Sequence, residues 1–177
     1  LNFLEILFTP YWIINPNYQK DWLKLVDNRE AIARYYLPQS IKSMKGIAAE
    51  KFFAMEHEYP SKVDIIKKYG YDGKQLCHLI RIEEFLRKYI NGEPYADCLI
   101  TQQSEYLIKV KQHTYYSLEE ARQVALETKT KIDVMTQEYL DSLTEQQLQP
   151  NKEVDKLLNE VQYNIIKTSV KQELCRR

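Results

Sequence analysis

The chain contains few of the residues that break regular structure or form cross-links. Its 177 residues include four glycines, six prolines and three cysteines. Cys77, Cys98 and Cys175 are odd in number and widely spaced, a pattern that matches neither a disulfide framework nor a C-x-x-C zinc motif. Free thiols are typical of a reducing compartment, so we expect a cytoplasmic protein without a metal site.

Long apolar runs and net charge are missing as well. No stretch of about 18 consecutive apolar residues occurs, so the sequence predicts no transmembrane helix and we expect no membrane partner. The first residues lack the charged start and long apolar core of a signal peptide. The 25 basic residues balance 25 acidic residues. This balance argues against a chain coated with nucleic acid over its whole surface, and any polyanion site must be local.

Several familiar catalytic motifs are absent. The sequence has no Gly-x-Ser-x-Gly, no His-Glu-x-x-His and no glycine-rich phosphate loop. Adjacent acids such as Glu83 and Glu84 point about 100° apart on a helix, so they do not form a general acid–base pair. These patterns offer no catalytic residue in this chain, although an arrangement of Ser, His and Asp from separated positions stays open.

Helical periodicity extends over most of the sequence. Charged residues make up 28% of the chain, and apolar residues recur three and four apart from about residue 17 onward. Ser61, Asp72 and Ser117 stand where N-caps are expected. The pattern predicts a mainly α fold, a bundle-like helical lobe. Its 14 tyrosines are interpreted either as packing surface or as stacking platforms for bases.

The first residues differ from this helical pattern. Residues 3–8 are largely apolar and are followed by Thr9-Pro10, which predicts a short N-terminal strand. We therefore predict a strand and loop at 1–16, a helical domain at 17–150 and a C-terminal amphipathic helix at 151–177.

The stretch 67–85 is the most informative part of the chain. It predicts a helix, a tight turn and a second helix that begins after the N-cap Asp72. On this second helix Lys74, His78 and Arg81 fall within a stripe of ~60°. Two cations and an imidazole on one helix face suit a polyanion such as a nucleoside triphosphate or an RNA end.

A second interpretation of the stripe stays open. The apolar residues of the same helix lie on the opposite arc and Lys88 extends the stripe, which is the pattern of an ordinary solvated helix. The protein would then be a stand-alone helical interaction module whose apolar surfaces bind a partner chain. Lys45 and Lys51 on the preceding helix are further candidates for phosphate binding, although they lie well apart around that helix.

Several separated segments carry a resemblance to a known family. Residues 44–51, 59–62 and 69–81 resemble, in the same order, the C-terminal helical part of predicted nucleotidyltransferases of the DNA polymerase β superfamily. The branch concerned is found in bacteria, phages and RNA-repair-associated gene sets. Residues 4–10 are similar to the strand that follows the catalytic core of that family, and the resemblance covers roughly residues 1–140.

The resemblance implies a nucleotide-binding part of a transferase. In that family a Gly-Ser turn and an Asp-x-Asp pair hold Mg²⁺, which neutralises the triphosphate and activates the attacking oxygen. Neither motif occurs in this sequence. The resemblance therefore implies that residues 1–16 are the remnant of an upstream catalytic lobe that carries the Mg²⁺. It also implies that this chain alone is inactive and that its cations hold a nucleoside triphosphate or an RNA acceptor. The residues expected to do so are Lys74, His78, Arg81, Lys45 and Lys51.

Overall fold

The computed structural model of the protein describes residues 2–10 and 12–175. Its helices in chain order are α1 Asn2–Leu7, α2 Gln19–Asp27, α3 Arg29–Ala33, α4 Leu37–Ala54, α5 Val63–Tyr69, α6 Gly73–Ile90, α7 Tyr95–Leu99, α8 Ser104–Lys111, α9 Leu118–Ser142 and α10 Lys152–Cys175, with a 3₁₀ turn at Pro16–Tyr18. The described residues contain no strand, and the prediction of a mainly α fold is confirmed. None of the described helices has the length and apolar composition needed to span a membrane.

The predicted N-terminal strand is wrong, because Asn2–Leu7 forms helix α1. Leu7 is completely buried, and Leu4 and Phe8 pack against the same apolar cluster. These three residues have the i, i+3, i+4 spacing of one helix face, which packs against α3. A short apolar run does not distinguish a strand from a buried helix, and here tertiary packing selects the helix.

The chain divides into two compact units. One consists of Leu1–Leu37 together with Thr144–Arg177, and the other is Pro38–Leu143. The predicted boundaries lay after residues 16 and 150, so the compact units group the chain differently.

In the first unit α10 packs against α2. Val154 and Val161 of α10 are buried in one cluster with Leu7, Leu25 and Val26. Polar contacts join the same two helices: Asn164 Nδ2 donates to Asp21 Oδ1 at 2.9 Å, and Lys24 Nζ lies 2.6 Å from Glu160 Oε2. The apolar face predicted for the C-terminal helix therefore forms part of this core.

In the second unit α6 is the central helix, with α7, α8 and α9 packed against it. Its core-facing side chains Leu76, Leu79, Leu86 and Tyr89 are completely buried. Helix α9 begins with a capping box in which the Ser117 side chain and the Glu120 carboxylate bond each other's backbone N–H. The predicted N-caps Asp72 and Ser117 are present. The prediction for Ser61 is wrong, because α5 begins after Lys62 and has no side-chain cap.

Candidate functional site

The turn between α5 and α6 is a closely packed corner. Gly70 closes α5 with φ +82°, a left-handed conformation that favours glycine. Gly73 lies so close to the end of α8 that a β-carbon on it would come 2.5 Å from the Val110 carbonyl oxygen. Tyr71 is buried between these glycines, and its hydroxyl donates to the Tyr116 carbonyl oxygen at 3.0 Å. In this turn Gly70, Tyr71 and Gly73 therefore have packing roles.

The first backbone N–H groups of α6 are bonded within the protein. Gly73 N–H donates to His113 Nε2 at 2.9 Å, and Lys74 N–H donates to Asp72 Oδ1 at 2.9 Å. Gln75 N–H donates to the Asp72 carbonyl oxygen at 3.0 Å. The Asp72 carboxylate is buried and forms an ion pair with Lys62 at 3.2 Å. The helix start is thus closed, and its N–H groups are not directed at a ligand.

The predicted stripe lies on one face of α6. Lys74 and Arg81 are exposed and His78 is half-buried. Arg81 Nη2 donates to the Leu99 carbonyl oxygen at 3.2 Å, which orients the guanidinium group and uses one of its five N–H donors.

The end of α4, which carries Lys51, lies close to this stripe, because Asp72 N–H donates to the Met55 carbonyl oxygen at 2.7 Å. Lys51 itself forms an ion pair with Glu50 at 2.7 Å. Burial is the largest cause that lowers the pKa of His78 below its ordinary value. The positive charges of Lys74, Lys51 and Arg81 lower this pKa further, and Asp72 opposes them. We call Lys51, Lys74, His78 and Arg81 the cationic ridge.

Lys45 is separated from the cationic ridge. Its Nζ lies 3.2 Å from Asp133 Oδ1 on α9, and Lys129 holds the same carboxylate at 2.6 Å. The hydrogen bond from Lys129 is the main reason why the pKa of Asp133 is lowered. Since Lys45 and Lys51 are six residues apart, they point in different directions from α4. Of the five predicted residues, the structure therefore brings together four.

The extension of the stripe to Lys88 is wrong. The Lys88 side chain is 7% exposed and pairs with the equally buried Glu84 at 3.3 Å. Lys88 Nζ also donates to the Ile100 carbonyl oxygen at 2.7 Å, and Glu84 accepts from Thr101 Oγ1 at 2.6 Å and from Gln102 N–H at 3.1 Å. The segment around α7 covers this end of α6. The pair consequently anchors that segment and is not available to a ligand.

Three tyrosines that the sequence did not single out form a cluster between α8 and the residues that precede α9. The rings of Tyr106 and Tyr115 are 5.1 Å apart, and those of Tyr115 and Tyr116 are 4.8 Å apart, both edge to face. The hydroxyls of Tyr106 and Tyr116 share a hydrogen bond of 2.8 Å. We call these three residues the tyrosine cluster. The adjacent Tyr115-Tyr116 pair just before the Ser117 cap was the only signal in the sequence.

Cys77 is a half-buried residue of α6 that directly precedes His78. Burial raises the pKa of its thiol, and the charges of Arg81 and Lys111 act in the opposite direction. Burial and the hydrogen bond to Tyr116 raise the pKa of Tyr106, and Cys77 adds to this effect.

The fold and this site define a helical protein with a cationic and aromatic surface on the unit Pro38–Leu143. Within residues 2–10 and 12–175, no group of three or more His, Cys, Asp or Glu side chains is arranged to hold a metal ion. Comparisons with protein-family models, with curated proteins and with solved structures find no match. The geometry of the site and the resemblance of the sequence segments are therefore the evidence on its function.

Proposed function

We propose that this chain is the helical lobe of a polymerase-β-type nucleotidyltransferase, and that its cationic ridge positions the phosphates of a nucleoside triphosphate or an RNA acceptor. The observation that carries the proposal is the stripe of Lys74, His78 and Arg81 on one accessible face of α6, beside the end of α4 that carries Lys51. Gathering like charges is unfavourable in the free protein, and a bound anion relieves that cost.

The ridge would contribute positioning and charge neutralisation. Arg81 would bind phosphate oxygens through its remaining N–H donors, and Lys74 and Lys51 would act as point charges. Fixing the phosphates in this way removes part of the entropic cost of bringing two reactants together. The metal-binding carboxylates and Mg²⁺ would be supplied by the upstream lobe that the resemblance implies, since the sequence contains no Asp-x-Asp pair.

The purified chain is expected to transfer no nucleotide by itself. The reason is the missing Asp-x-Asp pair, without which the triphosphate has no metal to neutralise it. The measurement is incorporation of labelled nucleotide from each NTP in Mg²⁺ or Mn²⁺. Robust incorporation that a carboxylate substitution within the chain abolishes would show that the lobe interpretation is wrong.

The ridge itself is tested by titration with ATP and with a short RNA at two salt concentrations. Lys74→Ala and Arg81→Ala are each expected to weaken binding by on the order of 1–3 kcal/mol, because a direct charge-assisted hydrogen bond is lost. Arg81→Lys is expected to weaken binding as well, since the planar fork is lost although the charge is kept. Higher salt is expected to weaken binding by the wild-type chain.

Lys42→Ala is the matched control for these variants. Lys42 is an exposed lysine of α4, and nine residues separate it from Lys51, which places it about half a turn away around the helix. Its removal is expected to leave every isotherm unchanged. An equal effect of Lys42→Ala and Lys74→Ala would indicate a general charge effect and contradict a site at the ridge.

A second candidate function is supported by the exposed side of α10. Four apolar side chains with helical spacing are exposed there: Tyr163, Ile166, Val170 and Leu174. Tyr163 lies about 200° around the helix from the buried Val161, so this stripe is opposite the face that packs in the core. It favours the stand-alone interaction module. Isotherms that do not differ between the wild-type chain and all ridge variants would favour that candidate over the lobe.

A further inference from the structure

His113 follows the end of α8 in a backbone conformation that is uncommon for its residue type. Its φ of +59° lies in the left-handed region, which residues with a β-carbon seldom adopt. His113 N–H donates to the Val110 carbonyl oxygen at 3.1 Å, and Thr114 N–H donates to that of Lys109 at 3.1 Å. These bonds close α8, and the imidazole that follows them lies against the corner between α5 and α6.

The imidazole of His113 contacts two aromatic rings of that corner. The Tyr69 ring stacks on it, with centroids 4.1 Å apart and an angle of 6° between the planes. The Tyr71 ring packs edge to face against it at 5.0 Å. His113 is half-buried, so its ring can still exchange protons with water. The imidazole is thus held in position and is able to change its charge.

One nitrogen of this ring lies close to two backbone groups. His113 Nε2 accepts from Gly73 N–H at 2.9 Å, and it lies 3.0 Å from the Tyr71 carbonyl oxygen. A ring nitrogen either accepts or donates a hydrogen bond, so Nε2 cannot serve both groups at once. Since a backbone N–H can only donate, the bond from Gly73 requires Nε2 without a proton. The ring that holds Gly73 is therefore neutral and carries its proton on Nδ1.

The elements around the imidazole carry more basic than acidic side chains. Their charged and titratable groups are Lys67, Lys68 and Tyr69 on α5, Tyr71 and Asp72 in the turn, Lys74, Cys77 and His78 on α6, Lys109 and Lys111 on α8, and Glu119 and Glu120 on α9. The three acids in this set already bond to other groups, which are Lys62 for Asp72, Arg122 for Glu119 and Ser117 for Glu120. A proton on the ring would also add a positive charge at the start of α6, where the helix dipole is positive. A charged imidazole is therefore expected to leave the start of α6.

We infer that His113 is a proton-controlled latch between α8 and α6. While the imidazole is neutral, the lone pair of Nε2 holds Gly73 N–H and with it the start of α6. A proton from water that binds Nε2 occupies this lone pair, and the new N–H donates to the Tyr71 carbonyl oxygen that already lies within reach. Gly73 N–H then loses its acceptor, and the first turn of α6 is released from the end of α8. Histidine ordinarily changes its charge between pH 5 and 8, so mild acid is expected to open the latch.

The experiment is heteronuclear NMR of the nitrogen-15-labelled wild-type chain at pH 8 and at pH 5. It detects the scalar coupling that an N–H···N hydrogen bond transmits between the Gly73 nitrogen and His113 Nε2. The coupling is expected at pH 8 and is expected to disappear at pH 5. Protection of the Gly73 amide against hydrogen exchange is compared with that in His113→Gln at the same pH. In the wild-type chain it is expected to fall about two- to tenfold in acid, which corresponds to one lost hydrogen bond.

Two histidine variants identify the ring that responds. His113→Gln puts an amide oxygen in place of Nε2, and this oxygen binds no proton between pH 8 and pH 5. The Gly73 resonance of this variant should therefore not respond to pH. His57→Gln is the matched control, because His57 is an exposed histidine that contacts Tyr59, and this variant should keep the full response of the wild-type chain.

Three results would overturn the inference: no coupling at pH 8, a coupling that persists at pH 5, or an equal pH response of Gly73 in His113→Gln. The coupling is measured in the wild-type chain, so the latch stays testable even if His113→Gln does not fold. The latch goes beyond the proposed phosphate binding and does not rest on it. Titration of the chain with ATP or RNA therefore decides one proposal, and the coupling decides the other.

Discussion

Lys88→Met is expected to lower the free energy of unfolding by about 3–5 kcal/mol at neutral pH, since it leaves the buried Glu84 carboxylate without its ion-pair partner. Both side chains are almost completely buried, so water cannot replace the lost interaction. The bonds from Thr101 and Gln102 would then hold a charge that nothing neutralises. Urea denaturation measures the change.

The pH dependence of this destabilisation tests whether the unpaired Glu84 carboxylate causes it. In the wild-type chain, burial alone would raise the pKa of Glu84, but the bonds from Thr101, Gln102 and Lys88 outweigh it and the pKa is lowered. A lowered pKa contributes stability above the ordinary value of about 4.3, and this stability is lost as the pH falls through the folded value. Without Lys88 the carboxyl is expected to protonate more readily, so the difference between variant and wild type should shrink in acid.

The double variant Glu84→Gln with Lys88→Met is the control, because it removes both charges. It is expected to be more stable at neutral pH than Lys88→Met alone, since no unpaired charge remains. If the single and double variants are equally unstable, loss of packing and not the unpaired carboxylate is the cause.

Gly73→Ala is expected to destabilise the protein by about 1–3 kcal/mol. The added β-carbon would come 2.5 Å from the Val110 carbonyl oxygen and 3.1 Å from that of Lys111. Both are backbone atoms, so the start of α6 and the end of α8 would have to move apart. Thermal unfolding followed by circular dichroism measures the loss.

Gly46→Ala is a control with the opposite expected sign. Gly46 lies in the middle of α4, and a β-carbon there would meet no atom within 4 Å. Alanine in a helix interior is more stable than glycine by roughly 0.5–1 kcal/mol, so the melting temperature should rise. Destabilisation by both variants would contradict the close approach described at Gly73.

The helices of the second unit were predictable because their signals are local. Asp72 and Ser117 cap their helices through bonds to residues two or three positions away, and helical periodicity concerns a single element. Local signals contain no information on tertiary packing, and this explains the wrong prediction for Lys88. Periodicity places Lys88 on the same face of α6 as Arg81. Only tertiary packing determines that the α7 segment covers Lys88 and leaves Arg81 exposed.

The candidate site was predictable only in the part that lies on one helix. The stripe of Lys74, His78 and Arg81 follows from the geometry of α6. Lys51 lies near the stripe, whereas Lys45 pairs with Asp133 on α9. This difference depends on how α4 is rotated against its neighbours, which no local pattern specifies. Tyr115 belongs to the tyrosine cluster through its contacts with Tyr106 on α8 and with Tyr116, so the sequence offered little to distinguish it from the other tyrosines.

The division of the chain into units has a consequence for biosynthesis. The unit Pro38–Leu143 is one continuous segment, whereas Leu1–Leu37 packs with Thr144–Arg177. On a ribosome, the continuous unit can fold as soon as it has emerged, but α1 and α2 must wait until α10 has been made. Until then the apolar side chains that Val154 and Val161 later cover stay exposed to other nascent chains. Leu1–Leu37 is therefore expected to complete its core later than the continuous unit that follows it in the chain.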